Sequence, residues 1–198
     1  MITIAWDVDD TLNSLMKEWL LHYSDSRMPR EVPLEYEKIL HNPPYTDLGI
    51  TKDDYLESLD CFRLGKYMGL EPIPEILGWF QKYGNLAHHV ALTATPLSTA
   101  RLSAEWVMNN FGKWIRTFSF IPSPRKGVDH IQYDKDKIIY CARNSIKTIV
   151  EDNVATITEA KEWGMNAVIV SQPWNSSLSC VGLADELERL SSLTISCA

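Results

Sequence analysis

The chain opens on an apolar run, Ile2-Thr3-Ile4-Ala5-Trp6, that empties directly into three carboxylates, Asp7, Asp9 and Asp10. A run without polar alternation reads as a strand buried on both faces, the habit of parallel sheets. Ligands of open α/β sheets gather at the carboxyl ends of such strands. Asp7 and Asp9 stand two positions apart, so an extended backbone sends both side chains to one face. Two like charges held that close call for a cation or a shared proton. The segment therefore points to a Mg²⁺-assisted phosphoryl-transfer site, against the plainer alternative of an Asp-rich turn after a strand.

The rest of the chain repeats strand and helix. Asn13 to Tyr23 has helical spacing through Leu15, Met16, Trp19 and Leu20. Between Ser24 and Gly69 come Pro-rich turns (Pro29, Pro33, Pro43-Pro44) and Thr51-Lys52-Asp53-Asp54, which resembles a capping box with Asp in place of Glu. Nothing there alternates like a strand, so residues 14–70 are expected to form a small helical insertion, with 1–13 and 71–198 as the core. A helix over Pro74–Tyr83 is expected to stop at Gly84-Asn85, followed by a strand over Ala87–Thr93. Thr95-Pro96 offers an N-cap and a first-turn proline for a helix ending at Gly112. Strands at Thr117–Ile121, Ile146–Val150 and Ala167–Val170 alternate with helices at Lys137–Ala142, Ala155–Trp163 and Leu183–Leu190. This order predicts a Rossmann-like α/β core, a parallel sheet with helices on both faces.

Composition narrows the function classes. At 198 residues and 45% hydrophobic, the chain can bury one good core plus a small insertion. A net charge of −7 argues against a duplex nucleic-acid binder, which needs a basic face. An acidic chain can still act on a phosphorylated small molecule if a metal and a lysine supply local positive charge. Cys61, Cys141, Cys180 and Cys197 show no paired spacing and read as reduced thiols of a cytoplasmic protein. His88 and His89 are adjacent and would point to opposite faces of a strand, so they cannot chelate one ion together. No stretch approaches the roughly 18 apolar residues of a membrane span, and the first apolar run is too short for a signal peptide. A small-molecule partner is expected, with a homodimer as the form of self-association considered.

Four of the expected strands end in residues suited to one reaction. The first gives Asp7 and Asp9; the second gives Thr93, with Thr95 at a helix N-terminus that favours an anion. A lysine follows the third, and the fourth gives Glu151 and Asp152. Singly, each has an ordinary structural explanation as a cap, a turn or a solvated charge. Their joint position at successive strand ends, where a parallel sheet brings them together, carries the argument.

This ordered set resembles the haloacid dehalogenase superfamily of phosphotransferases. Asp7-Val8-Asp9-Asp10-Thr11 is similar to its first motif, Asp-x-Asp-x-Thr; Thr93, a lysine and Glu151-Asp152 follow in the family's order. Within it, the chain looks most like the 5'(3')-deoxyribonucleotidases, through Glu71-Pro72-Ile73-Pro74, Thr93-Ala94-Thr95-Pro96 and Gln172-Pro173-Trp174-Asn175. The likeness spans roughly residues 70–175 and is poor in the insertion, which would be the family's small helical cap. The acidic pair is Glu-Asp rather than Asp-Asp, which makes Asp152 the safer metal ligand. The lysine stays open, with Lys137 first, Lys135 next and Lys126 third.

The resemblance implies Asp7 as nucleophile, forming an aspartyl-phosphate, and Asp9 as general acid and then base, with a raised pKa. It implies Mg²⁺ held by the Asp7 carboxylate, the Asp9 backbone carbonyl and Asp152, with Thr93 and a lysine on the phosphate and Asp10 capping the turn. The substrate would be a nucleoside monophosphate, on whose base Trp19, Tyr55, Phe62 or Tyr67 could stack unless these rings form the cap's own core. The competing readings are a phosphatase for a sugar phosphate or other phosphomonoester, and a catalytically silent binding protein of the same fold. A receiver domain fits less well, because its acceptor aspartate lies on a later strand.

Overall fold

The structure, a computed structural model, describes residues 1–27, 35–178 and 181–196; Pro29, Pro33, Cys180 and Cys197 lie outside them. Strands β1 (Thr3–Trp6), β2 (His88–Thr95), β3 (Ile115–Pro122), β4 (Thr148–Glu151) and β5 (Asn166–Ile169) form one sheet in the order β3-β2-β1-β4-β5. Every pairing is parallel. The first strand is central, which is why its sequence carries no polar alternation: Ile4 and Trp6 enter one apolar layer and Ala5 the other.

Helices α3 (Pro74–Tyr83), α4 (Leu97–Phe111) and α7 (Leu183–Ser196) supply the layer on the Trp6 side through Trp79, Phe80, Trp106, Phe111, Leu187 and Leu190. Helices α5 (Lys137–Arg143) and α6 (Val154–Glu162) supply the opposite layer through Ile138, Cys141, Ile157 and Ala160. No helix of the described residues is long and apolar enough to cross a membrane.

Residues between β1 and α3 leave the sheet as a helical insertion. It holds α1 (Leu15–Arg27), a 3-10 turn at Tyr36–Lys38, α2 (Lys52–Lys66) and a second 3-10 turn at Tyr67–Gly69. The chain departs and returns side by side: Asn13 and Pro72 form an antiparallel bridge, and Ile73 N–H donates to the Leu12 carbonyl at 2.9 Å. Helix α1 begins two residues later than its spacing suggests, because the Asn13 side chain accepts from Leu15 N–H at 3.0 Å and acts as an Asx turn. Helix α2 begins where expected, with Thr51 accepting from Asp54 N–H. The box is half made, since the Asp54 carboxylate meets the Thr51 hydroxyl at 2.6 Å.

Several boundaries differ from the sequence reading for physical reasons. Gly84 does end α3, but at φ −60 rather than in the left-handed region; a Cβ there would lie 2.6 Å from the Trp114 ring, so close approach is what requires glycine. The cap of α4 is Pro96, not Thr95, which stays in β2 and turns its hydroxyl to Thr99 at 3.1 Å. Strand β4 starts at Thr148 because Ser145 adopts φ 56 and Ile146 N–H closes back on the Cys141 carbonyl.

Trp6 has a specific role. Its indole N–H donates to Nδ1 of His89 at 3.0 Å, and His89 Nε2 lies 2.9 Å from the Gly84 carbonyl. A carbonyl only accepts, so Nε2 carries the proton and His89 is neutral. Burial pushes the His89 pKa down to about 4. The relay satisfies an indole otherwise sealed between Trp79 and Phe80. His88 is exposed and His89 buried, the opposite-face arrangement expected of neighbours on a strand.

Candidate active site

At the carboxyl edge of the sheet lies a cavity of about 350 Å³, lined by Asp7, Asp9 and Asp10 after β1, Thr93 from β2, Ser123 and Arg125 after β3, and Asp152 after β4. Lys137 and Asn153 complete its floor, while Leu56, Leu59 and Arg63 of α2 form part of its roof. The central position of β1 puts the carboxylates where the connections diverge to either side of the sheet, the expected position of a ligand crevice.

Lys137 opens α5 and is buried, with its ammonium 2.8 Å from Asp7 Oδ2 and 2.7 Å from Glu151 Oε2. Asp136 places it there by capping the helix through Ile139 N–H. Glu151 is fully engaged, since its other oxygen accepts from the N–H groups of Asp152 and Asn153 at 3.3 and 3.1 Å. Asp152 Oδ2 accepts from the Trp174 indole at 3.1 Å and from the Asn42 amide at 3.3 Å. Asn175 donates to the Asp152 carbonyl at 2.8 Å. The Gln172–Asn175 segment thus braces the acidic corner: Gln172 also donates to the Asp10 carbonyl at 2.7 Å and accepts from Tyr36 at 2.6 Å.

Burial and mutual repulsion dominate the electrostatics. Burial first, then Glu151, pushes Asp7 up to about 8 against the pull of Lys137. Burial and then Asp7 raise Asp152 to about 7. Burial also raises Glu151, although Lys137 opposes it. The Lys137 ammonium is held above the ordinary lysine range because Asp7 and Glu151 outweigh its desolvation. Asp10 is raised by burial and by Asp152; it sits at φ 60 and accepts from Met16 N–H at 2.8 Å, so it serves the turn.

Ligand oxygens of Asp7, Glu151 and Asp152 lie within 4.8 Å of one another. Asp7 and Asp152 line the cavity and Glu151 does not, so these two are the donors turned toward a ligand. Buried carboxylates with so few cations among them suit a hard divalent cation.

The insertion supplies contacts to Asp9 that sequence reasoning missed. Arg63 Nη2 donates to Asp9 Oδ2 at 2.7 Å, and the Tyr67 hydroxyl donates to Asp9 Oδ1 at 2.5 Å. Asp60 links Arg63 at 3.4 Å to Arg125 at 2.6 and 2.9 Å, tying α2 to the loop after β3. The helical spacing of Asp60 and Arg63 is the only trace of this in the chain, and it reads equally as a solvated ion pair.

Of the residues singled out from sequence, Asp7, Asp9, Thr93, Lys137 and Asp152 converge on the cavity. Thr95 does not line it, because its hydroxyl is spent on Thr99. Lys135 and Lys126 are exposed and also lie outside the lining, since Asp136 starts α5 one residue later and turns Lys137 inward instead. The expected base-stacking rings mostly form the insertion's own core. Trp19 packs on Tyr23 and edge-on to Tyr55 and donates to Ser58, Phe62 lies beside His22, and Tyr67 serves Asp9. Tyr55 is the one of the four that lines the cavity.

No protein-family model matches the chain, and no curated protein matches it. Solved structures do match its fold. A haloacid dehalogenase-like protein of unknown function from Agrobacterium tumefaciens superposes with a TM-score of 0.56 at 12% identity, covering 99% of each chain. A phosphoglycolate phosphatase, so assigned, from Lactobacillus plantarum matches with a TM-score of 0.54 at 17% identity, covering 95% of this chain and 99% of that one. A Thermotoga maritima protein assigned as a β-phosphoglucomutase gives 0.52 at 15% identity, covering 98% of this chain and all of the other. The chain therefore shares the fold of these structures, a Rossmann-like core with helices on both faces of a parallel sheet.

Proposed function

We propose that this chain is a Mg²⁺-dependent phosphomonoesterase of the haloacid dehalogenase type, acting through an aspartyl-phosphate on a small phosphomonoester such as a sugar phosphate. The observation that carries the reading is the buried Lys137 ammonium, 2.8 Å from Asp7 and 2.7 Å from Glu151, with Asp152 alongside at the floor of the cavity. In this reading residues 14–70 are the cap and the remainder is the catalytic core.

Asp7 attacks phosphorus: an Asp7 oxygen–phosphorus bond forms as the bond to the leaving oxygen breaks, and Asp9 gives that oxygen its proton. Water then attacks the same phosphorus, Asp9 takes up its proton, and the bond to Asp7 breaks. Lys137 neutralises charge on the phosphoryl oxygens while keeping Asp7 oriented, and Thr93 binds one of those oxygens. Asp9 is gripped by Arg63 and Tyr67, so proton transfer requires it to exchange partners as substrate enters. Mg²⁺, held by Asp7, Asp152 and the Asp9 carbonyl, would offset the repulsion between Asp7 and the phosphate dianion.

A compact substrate is favoured because three of the four candidate stacking rings are consumed within the cap, and two fold neighbours bear names of enzymes for glucose phosphate and phosphoglycolate. A nucleoside monophosphate is the second reading, and Tyr55 at the cavity wall is its support. The test is Mg²⁺-dependent phosphate release from a panel of sugar phosphates, phosphoglycolate and nucleoside monophosphates, with wild type beside Asp7→Asn. Turnover should fall by roughly 10³–10⁶-fold in the variant, as for loss of a nucleophile. No release from any substrate would overturn the reading in favour of a silent binding protein. Turnover confined to nucleotides would replace the compact substrate with a nucleotide.

A further inference from the structure

Besides α2, a second part of the insertion meets the cavity floor: the segment running from the 3-10 turn at Tyr36–Lys38 to Asp47. Ile39 and Pro44 are buried and anchor it. The Asp47 carboxylate accepts from the N–H groups of Leu40 and His41 at 2.8 and 2.9 Å, which closes the chain into a loop that carries Asn42. Asn42 lines the cavity, and its amide donates to Asp152 Oδ2 at 3.3 Å, across 110 positions of sequence. Tyr36, at the start of the segment, donates its hydroxyl to Gln172 at 2.6 Å and meets the Trp174 ring edge-on, 6.0 Å between centroids.

Both donors to Asp152 Oδ2 therefore touch this segment. Asn42 belongs to it, and Trp174, which donates at 3.1 Å, is braced by the Tyr36 ring. Two donors on one carboxylate oxygen restrain its rotation, and neither of them touches Oδ1, the oxygen left to face a cation beside Asp7. Outer hydrogen bonds of this kind orient a metal ligand, and losing one typically costs about 10–100-fold in metal affinity.

Resting on the reading of Asp7 and Asp152 as metal ligands, we infer that Asn42 is a positioning residue for the metal site, and that docking of the 36–47 segment and binding of the divalent cation form one linked equilibrium. Removing the Asn42 contact weakens the cation, and the cation in turn holds the segment down by the same factor, because linkage is reciprocal. The insertion then reaches two floor carboxylates by separate routes, Asp9 through α2 and Asp152 through Asn42.

Calorimetric titration of the full chain with Mg²⁺, in the absence of substrate, makes the first half of the test. Asn42→Leu nearly keeps the side-chain size and removes the donor; its Kd for Mg²⁺ should rise by about tenfold or more over wild type. Amide exchange at Leu40 and His41, the N–H groups held by Asp47, reads the other half. Saturating Mg²⁺ should slow that exchange by a comparable factor in wild type and leave it unchanged in Asn42→Leu. A merely structural role for Asn42 would speed exchange equally with and without Mg²⁺. Trp174→Phe removes the other donor to the same oxygen; it should also weaken Mg²⁺, yet keep the Mg²⁺-dependent slowing at Leu40 and His41. No Mg²⁺ binding to wild type, an unchanged Kd in Asn42→Leu, or wild-type exchange that ignores Mg²⁺ would overturn the inference. Weakened Mg²⁺ binding in the variant of a chain that releases phosphate from no compound would leave the inference standing and sink the phosphatase. Phosphate release with Mg²⁺ binding untouched by the variant would do the reverse.

Discussion

The floor of the cavity takes Asp7, Thr93 and Asp152 from the ends of three strands, whereas its roof takes Leu56, Leu59 and Arg63 from the single helix α2. These three floor residues are distant in sequence but share one rule: each lies near or just past the carboxyl end of a buried strand, and the parallel register brings the strand ends together. Roof residues are close in sequence and share no such rule. Their place depends on how α2 docks, which Asp60 fixes through Arg125 and which Arg63 and Tyr67 fix through Asp9. The floor is therefore set by backbone geometry and the roof by side-chain reach, so damage to the two should differ in size.

The largest expected effect on stability comes from the floor. Lys137→Met strands the Asp7 and Glu151 carboxylates in a buried site, and loss of one partner of a buried pair typically costs about 3–5 kcal/mol. Urea unfolding at neutral pH should register that loss; a change below about 1 kcal/mol would mean the floor is held by backbone contacts alone.

A second effect lies beneath the floor, in the Trp6–His89–Gly84 relay. His89 titrates near 4 when folded against an ordinary histidine value of about 6.5. Because the folded value is depressed, the neutral relay contributes fully above pH 6.5, and its contribution is lost as pH falls from 6.5 through 4. The loss is on the order of 3 kcal/mol. Denaturant midpoints at pH 7 and pH 4.5, in wild type and His89→Gln, should show a steeper fall in wild type over that window. Parallel slopes would remove the histidine from the account.

The smallest effect belongs to the roof. Thr51→Ala removes the N-cap of α2, worth about 1 kcal/mol. Faster amide exchange is expected along α2, with β1 and β4 unchanged. Equal acceleration in the strands would show that roof and floor unfold as one unit and erase the distinction drawn here.

What was legible in the chain follows the same division. Buried strands read clearly as apolar runs bounded by Gly, Asn and Asp, and the helix Pro74–Tyr83 was framed by proline at its start and glycine at its end. The acidic residues stood out because they directly follow those runs. Lys137 was favoured over Lys135 and Lys126, and the Asp136 cap is what turns it inward. Trp6 was opaque because its partner His89 lies 83 positions away. Arg63 and Tyr67 were opaque because a helical arginine and tyrosine look alike whether they face solvent, a helical core or a carboxylate. The aromatic residues of the insertion invited a binding role, yet a segment with no sheet of its own had to use most of them as its core.

The bridge between Asn13 and Pro72 has an evolutionary reading. Because departure and return points abut, the sheet sees the inserted segment as a single short crossing, whatever its length. Closing a longer loop over such a gap adds only a slowly growing entropic cost. A lineage could therefore exchange this module for a longer or shorter one and keep the strand-end chemistry intact. The transplanted piece would have to bring its own answer to Asp9, the one floor carboxylate that Arg63 and Tyr67 hold from above.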